Sequence, residues 1–155
     1  MLPVVATWLL GLLMLLAQAE PSSADPSAGK VERSSGPPPT YEVQPIGWIR
    51  KRDGRTTIEI DEEYQPALLG VDELEGLWVL YWFDRNDTPE QRAILQVHPR
   101  GNPANPLRGV FATHAPVRPN LIAMSRCRVL GVEGNIVEID GIDAFADTPV
   151  LDLKP

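Results

Sequence analysis

Between His98 and Ala123 the chain reads HPRGNPANPLRGVFATHAPVRPNLIA, which sets Arg100, Arg108 and Arg118 among five prolines and two glycines. Proline fixes φ before folding, so such loops are pre-shaped and can hold guanidinium groups toward a carboxylate or phosphate with little entropy left to lose. The same composition also describes proline-rich loops whose arginines face water. Other chemistries are poorly served. Two histidines, His98 and His114, are too few for a zinc site without carboxylate help. A single cysteine, Cys127, excludes an internal disulfide and any multi-cysteine metal site built from one chain. It alternates with Arg126 and Arg128, the pattern of a buried small apolar residue in a strand. No serine lies in a G-x-S-x-G elbow and neither glycine-rich phosphate loop occurs, so the hydrolase and nucleotide-loop templates fail.

The elements that must position these arginines are short. Glu42–Arg50, Thr56–Ile60, Leu77–Phe83, Ala93–His98, Gly109–Thr113, Leu121–Val132, Ile136–Ile139 and Pro149–Leu153 are rich in Val, Ile, Leu or aromatics and bounded by Gly, Pro, Asn or Asp, which predicts strands. Leu77 to Phe83 is apolar at every position and is expected to be covered on both faces. Glu133-Gly134-Asn135 separates two alternating runs and reads as a hairpin turn. Helical turns are expected over Glu62–Leu69 and Asp72–Glu75 alone, the first cut short by Pro66. Many short strands with little helix predict an all-β fold, a small, mainly antiparallel β-barrel over residues 41–155.

Two segments precede that domain. Residues 2–16, LPVVATWLLGLLMLL, form an apolar run too short for a confident bilayer span, and Ala17-Gln18-Ala19 places small residues before a cut after Ala19. Residues 1–19 thus read as a signal peptide, which leaves no stable membrane insertion after cleavage and makes the protein exported, periplasmic or secreted. A retained anchor is one alternative; initiation at Met14, which deletes most of the apolar run and gives a cytoplasmic protein, is another. Residues 20–40 are Pro, Ser, Ala and Gly with a few charges, and nothing there is large enough to offset the entropy of ordering, so they read as a disordered linker. The formal net charge is −7, and residues 41–155 carry −6 (12 Lys+Arg against 18 Asp+Glu). A broad nucleic-acid grip is thereby excluded and only a local patch remains, for which Arg50, Lys51, Arg52 and Arg55 are candidates.

The order of five motifs adds a resemblance. Ile46-Gly47-Trp48-Ile49, Glu59-Ile60-Asp61-Glu62-Glu63-Tyr64-Gln65-Pro66-Ala67-Leu68, Leu77 to Phe83, Gly109-Val110-Phe111-Ala112-Thr113 through Arg118-Pro119-Asn120, and Thr148-Pro149-Val150-Leu151-Asp152-Leu153-Lys154-Pro155 together resemble the TsaA-like family, also called TrmO, over essentially all of residues 43–155. The resemblance implies a small β-barrel that dimerises, binds S-adenosylmethionine and methylates the exocyclic amine of a threonylcarbamoyl-modified adenosine beside a tRNA anticodon. Carried over by position, it implies a cofactor pocket lined by Thr113, His114, Arg118, Pro119 and Asn120, with Arg118 on the methionine carboxylate and the Asn120 amide on the adenine edge or backbone. Asp143, Asp147 and Thr148 fall in the second family loop, where carboxylates suit ribose hydroxyls and the positive cofactor. No metal is implied, and no catalytic side chain is assigned.

This chain departs from the family pattern within those loops. Where that pattern runs roughly T-R-S-P-x-R-P-N-P-I-G, His114 stands for the first arginine, Ala115 for serine, Leu121 for proline and Ala123 for glycine. In the second loop D-G-T-P becomes Ala146-Asp147-Thr148-Pro149, so Asp147 occupies the glycine position. Two functions follow from the sequence. One is the family methyltransferase, with tRNA as partner if the protein is cytoplasmic and a homodimer as its assembly. The alternative is an exported ligand-binding or interaction module that keeps the barrel without methyl transfer.

Overall fold

The computed structural model of the protein describes residues 36–155. The leader expected over residues 1–19, and the linker expected over 20–40 up to residue 35, lie outside the described residues. Residues 41–155 form one compact unit. Its strands are β1 (Gly47–Arg52), β2 (Arg55–Ile60), β3 (Gly76–Trp82), β4 (Gln96–Val97), β5 (Arg108–Gly109), β6 (Ile122–Glu133), β7 (Ile136–Ile139) and β8 (Pro149–Lys154).

Six of them close into an antiparallel barrel in the order β1-β2-β7-β6-β3-β8, and β1 pairs with β8 to complete the ring. Alternation fills it. Ile49, Ile58, Ile60, Leu77, Val79, Cys127, Val137, Ile139 and Val150 point inward and are buried, while their strand neighbours face out, as a period of two requires. The β1–β2 pairing demands a close backbone approach at Gly47, where a Cβ would stand 2.4 Å from the Glu59 carbonyl oxygen.

Tight turns set the registers. Asp53 and Gly54 both take positive φ, at 50° and 76°, the two-residue hairpin that an Asp-Gly pair favours. The expected β6–β7 turn is present, but of its two central residues only Gly134 takes positive φ. Asn135 instead donates its side-chain amide to the Ile60 carbonyl at 2.6 Å and thereby ties this hairpin to the end of β2. The helical turns form as 3₁₀ segments over Glu62–Leu68 and Val71–Glu73.

Several expectations are corrected. β3 is covered on its inner face alone: Leu77, Val79 and Tyr81 are buried, whereas Trp78 on the outer face is 37% exposed. The strand expected from Glu42 begins at Gly47, and Glu42 to Gln44 are exposed loop. Those expected over Ala93–His98 and Gly109–Thr113 shrink to the two-residue β4 and β5, which pair only with each other off the barrel: Ala93 is taken up as the cap of a short helix, Val110–Ala112 winds into a 3₁₀ turn, and prolines 99, 103 and 106 break the connection between the two strands. A short helix not expected from periodicity, α1 (Pro89–Arg92), starts where the Thr88 hydroxyl accepts from the Gln91 amide at 3.3 Å and proline takes the first helical position.

Candidate functional site

Antiparallel pairing brings the ends of β1, β3 and β7 and the starts of β2, β6 and β8 to one end of the barrel. A cleft of about 1060 Å³ opens there. Its floor is the end of β3, Tyr81 to Phe83, beside the start of β6, Ile122 to Ser125; its walls are the turn at 84–86, the loop from Phe111 to Arg118, and the loop from Asp143 to Thr148.

Buried Tyr81 joins floor to wall. Its hydroxyl donates to the Asp143 carbonyl at 2.8 Å and lies 3.2 Å from the Ser125 hydroxyl, and burial raises its pKa above the usual phenol value. From the β1 side, the Lys51 ammonium donates to the Ile142 carbonyl at 2.9 Å. Thr113 shapes the opposite wall, its hydroxyl donating to the Val110 carbonyl at 3.1 Å and accepting from the Ala115 amide at 3.2 Å. Half-buried Arg118 reaches two backbone carbonyls only, Ala115 at 3.4 Å and Val110 at 3.5 Å, and no carboxylate pairs with it among the described residues. A guanidinium removed from water and lacking a counter-charge favours an incoming anion.

Two phenyl rings stand at the rim: Phe111, 81% exposed, and Phe145, 63% exposed. The Arg85 guanidinium lies 4.0 Å over the Phe145 ring, so the 84–86 turn meets the β7–β8 loop across the cleft. The cleft therefore combines cations at Lys51, Arg85 and Arg118, carboxylates at Asp84 and Asp143, and flat apolar rims. This suits a ligand with an anionic end, a planar ring and a positive centre. Cys127 is not among the lining residues, and burial pushes its thiol up to about 11, so the site offers binding and alignment rather than a cysteine nucleophile.

Of the residues singled out by sequence, Thr113, His114, Arg118, Asp143 and Thr148 line the cleft together. Pro119, Asn120 and Asp147 do not. The Pro119 carbonyl accepts from Arg92 at 2.9 Å, which anchors α1 to the loop. Asn120 is exposed. Asp147 takes φ 63° and forms an ion pair with Arg50, itself bonded to Glu59 at 2.7 Å. His98 belongs to the ribbon instead, where its Nδ1 lies 2.7 Å from the Asn105 carbonyl oxygen. Sequence reasoning missed Lys51, Tyr81, Arg85, Phe111 and Phe145 as cleft residues. A tyrosine at an inward position, and Phe145 between two alanines in a loop, were the available signals.

The family model for the tRNA-methyltransferase O N-terminal domain matches residues 40–155. The chain belongs to this family. Within it, the chain is 42% identical over 114 residues to a protein of Methanocaldococcus jannaschii named a probable S-adenosyl-L-methionine-binding protein, covering 74% of this chain and 90% of that one. A protein of the same name from Pyrococcus horikoshii is 46% identical over 114 residues, covering 74% and 81%. The mouse tRNA (adenine(37)-N6)-methyltransferase is 39% identical over 91 residues, which are 59% of this chain and 20% of that protein. A crystal structure of TrmO from Pseudomonas aeruginosa superposes with a TM-score of 0.58 at 31% identity, covering 77% of this chain and 55% of that chain. The chain thus spans about half the length of this solved TrmO structure. The barrel expected from sequence and the TrmO barrel are the same fold.

Proposed function

We propose that the cleft binds S-adenosylmethionine and presents its methyl group to the exocyclic amine of an adenosine in tRNA, with the threonylcarbamoyl-modified base beside the anticodon as the specific acceptor. The observation that carries this reading is Arg118, half-buried in a family barrel and held only by backbone carbonyls. It fits the ligand's carboxylate, while Asp143 offers a carboxylate to ribose hydroxyls or the sulfonium charge, and the phenyl rims suit the adenine. S-adenosylmethionine held there by Arg118 and Asp143 would supply a sulfonium-activated methyl group: the amine nitrogen would bond to that methyl carbon as the C–S electron pair departs with the thioether sulfur, and the nitrogen would give up one proton. The chain's own part is to align and enclose: Tyr81 and Thr113 fix the two walls, and Asp84 and Asp143 are the lining carboxylates that can take up the proton. Calorimetry with S-adenosylmethionine and its demethylated product, followed by methyl incorporation into tRNA, tests the reading; no binding at millimolar ligand removes it.

A homodimer completes this reading. At the edges of the ribbon Ile94, Leu95 and Leu107 stand exposed, with Phe111 in the turn that follows β5, apolar residues that a second copy would cover.

The exported binding module keeps two supporting observations. Residues 2–19 have the pattern of an export signal, and Asp147 is turned into its ion pair with Arg50 rather than into the cleft. Amino-terminal sequencing of the protein from its host separates the two. A mature start at Glu20 removes the domain from tRNA, whereas a start at Met14 keeps it in the cytoplasm.

A further inference from the structure

The basic patch expected from sequence at β1 and β2 is largely neutralised. Arg50 pairs with Glu59 and Asp147, Arg55 pairs with Glu138, and Lys51 is bonded to a carbonyl at the cleft. A different surface keeps cation and aromatic together. On the outer face of β3, Trp78 stands in register between Arg126 of β6 and Lys154 of β8. Directly opposed residues on neighbouring strands lie within side-chain reach. Trp78 is part-exposed and both cations are exposed; Lys154 pairs with Asp152 at 2.7 Å, whereas Arg126 has no ion pair among the described residues. The next outward row sets Leu80 between exposed Met124 of β6 and Asp152 of β8, the carboxylate that pairs with Lys154, and the last brings Trp82 beside Ile122 at the cleft. An apolar and aromatic track thus runs from the flanked tryptophan to the cleft mouth.

We infer that this face of β3, β6 and β8 is the docking track for an unpaired RNA strand whose reacting base enters the cleft. The inference rests on the methyltransferase reading for the identity of the strand. Its own support is the combination of residues. An exposed indole offers a stacking plane to any base, and the unpaired guanidinium of Arg126 beside it meets a phosphate that flanks a stacked base. Charge complementarity is local: the domain carries −6 overall, so a strand is drawn to this row and repelled by the acidic stretch from Glu59 to Glu75. A protein partner would gain from the apolar residues but has no need of a tryptophan set beside an unpaired guanidinium.

The test measures binding of a fluorescein-labelled anticodon stem-loop to the intact protein by anisotropy, across a salt series. Trp78→Ala weakens binding about tenfold, the loss of one stacked base. Arg126→Ala weakens it and flattens the slope of log K against log salt by about 0.7, one single-strand phosphate contact, while Arg126→Lys keeps most of both. Affinity for S-adenosylmethionine is unchanged in all three variants, since none of these positions lines the cleft. Because Trp78→Ala trims a part-buried ring, Arg126→Glu at an exposed position serves as the second probe and abolishes RNA binding with an unchanged thermal midpoint. Unchanged RNA affinity in both Trp78→Ala and Arg126→Glu overturns the inference. So does a change in either variant from two copies to one in sedimentation, which would make this face an interface between copies. If the wild type binds S-adenosylmethionine but no RNA, the track falls and the cofactor reading stands; if it binds RNA through these residues but no S-adenosylmethionine, the reverse holds.

Discussion

Tyr81 donates its hydroxyl to the carbonyl of Asp143 at 2.8 Å, so a side chain from the barrel floor holds the loop that forms one wall of the cleft. The contact is partly buried and is supported by Ser125 at 3.2 Å. Removing the hydroxyl leaves the carbonyl of Asp143 without this donor and frees the segment that carries Phe145. Tyr81→Phe is therefore expected to cost about 1–2 kcal/mol of stability and to lower ligand affinity several-fold, because the wall must be ordered again on binding. Denaturant unfolding and calorimetry read the two effects; a variant with wild-type values in both would show that the loop is held by other contacts.

Arg118→Ala removes the one lining guanidinium that has neither a carboxylate nor a ring partner among the described residues. Loss of a charge-assisted and bidentate contact is expected to cost about 1.5–3 kcal/mol, roughly ten- to a hundredfold in affinity for S-adenosylmethionine. Asn120→Ala serves as the control. Its side chain lies outside the cleft, so affinity should stay within about twofold, less than the loss of one neutral hydrogen bond. A larger effect at Asn120 than at Arg118 would place the ligand elsewhere.

These two positions also show what the sequence could and could not disclose. The barrel was legible because period-two alternation forces inward and outward faces, and the long β6 and the β7 hairpin follow it closely. The ribbon was not, since β4 and β5 have no barrel partner to extend them and a helix cap at Ala93 and a 3₁₀ turn over Val110–Ala112 take up their flanks. Motif order located the cleft-lining loops, and Thr113, Arg118 and Asp143 arrived there together. Asn120 and Asp147 sit in the same loops, yet one backbone turn decides where each points. At Asp147 that turn is a positive φ, the conformation a glycine would adopt freely, and Arg50 captures the carboxylate. Lys51 and Arg85 were invisible because their distance to the site depends on closure of the barrel, not on sequence spacing.

Cys127 gives a pH dependence of defined sign. Burial, with a smaller contribution from Asp140, lifts the folded-state thiol from its ordinary 9.0 to about 11. The native state thus holds its proton more tightly than the unfolded chain. Stability from this group is fully present below pH 9, falls as pH rises, and is lost by about pH 11, to the extent of about 2–3 kcal/mol for that shift. Tyr81, raised by the same cause, acts in the same direction. Urea midpoints measured from pH 7 to 11 should decline for the wild type and decline less for Cys127→Ala. The thiol should also resist alkylation at pH 8 until the protein unfolds. Equal slopes for wild type and variant would show that the alkaline loss arises at other groups.

Association is expected to run through the ribbon rather than through the aromatic residues of β3. Tyr81 is buried, and its ring packs edge-on against Phe83 at the cleft floor with centroids 5.8 Å apart, so these two are not offered to a second copy. Leu95 and Leu107 stand exposed on the ribbon beside Ile94, and Phe111 at its foot both continues this patch and lines the cleft. A second copy laid on the ribbon would shield the leucines and enclose the rim of the cleft at Phe111. Leu107→Glu introduces a charge that such an interface would have to desolvate, at a cost of several kcal/mol per buried ion, enough to separate a micromolar dimer. The expected result is two copies for the wild type and one for Leu107→Glu in sedimentation velocity, with weaker S-adenosylmethionine binding in the variant. A monomeric wild type at high micromolar concentration would remove the dimer. A Leu107→Glu protein that remains dimeric would move the interface off the ribbon.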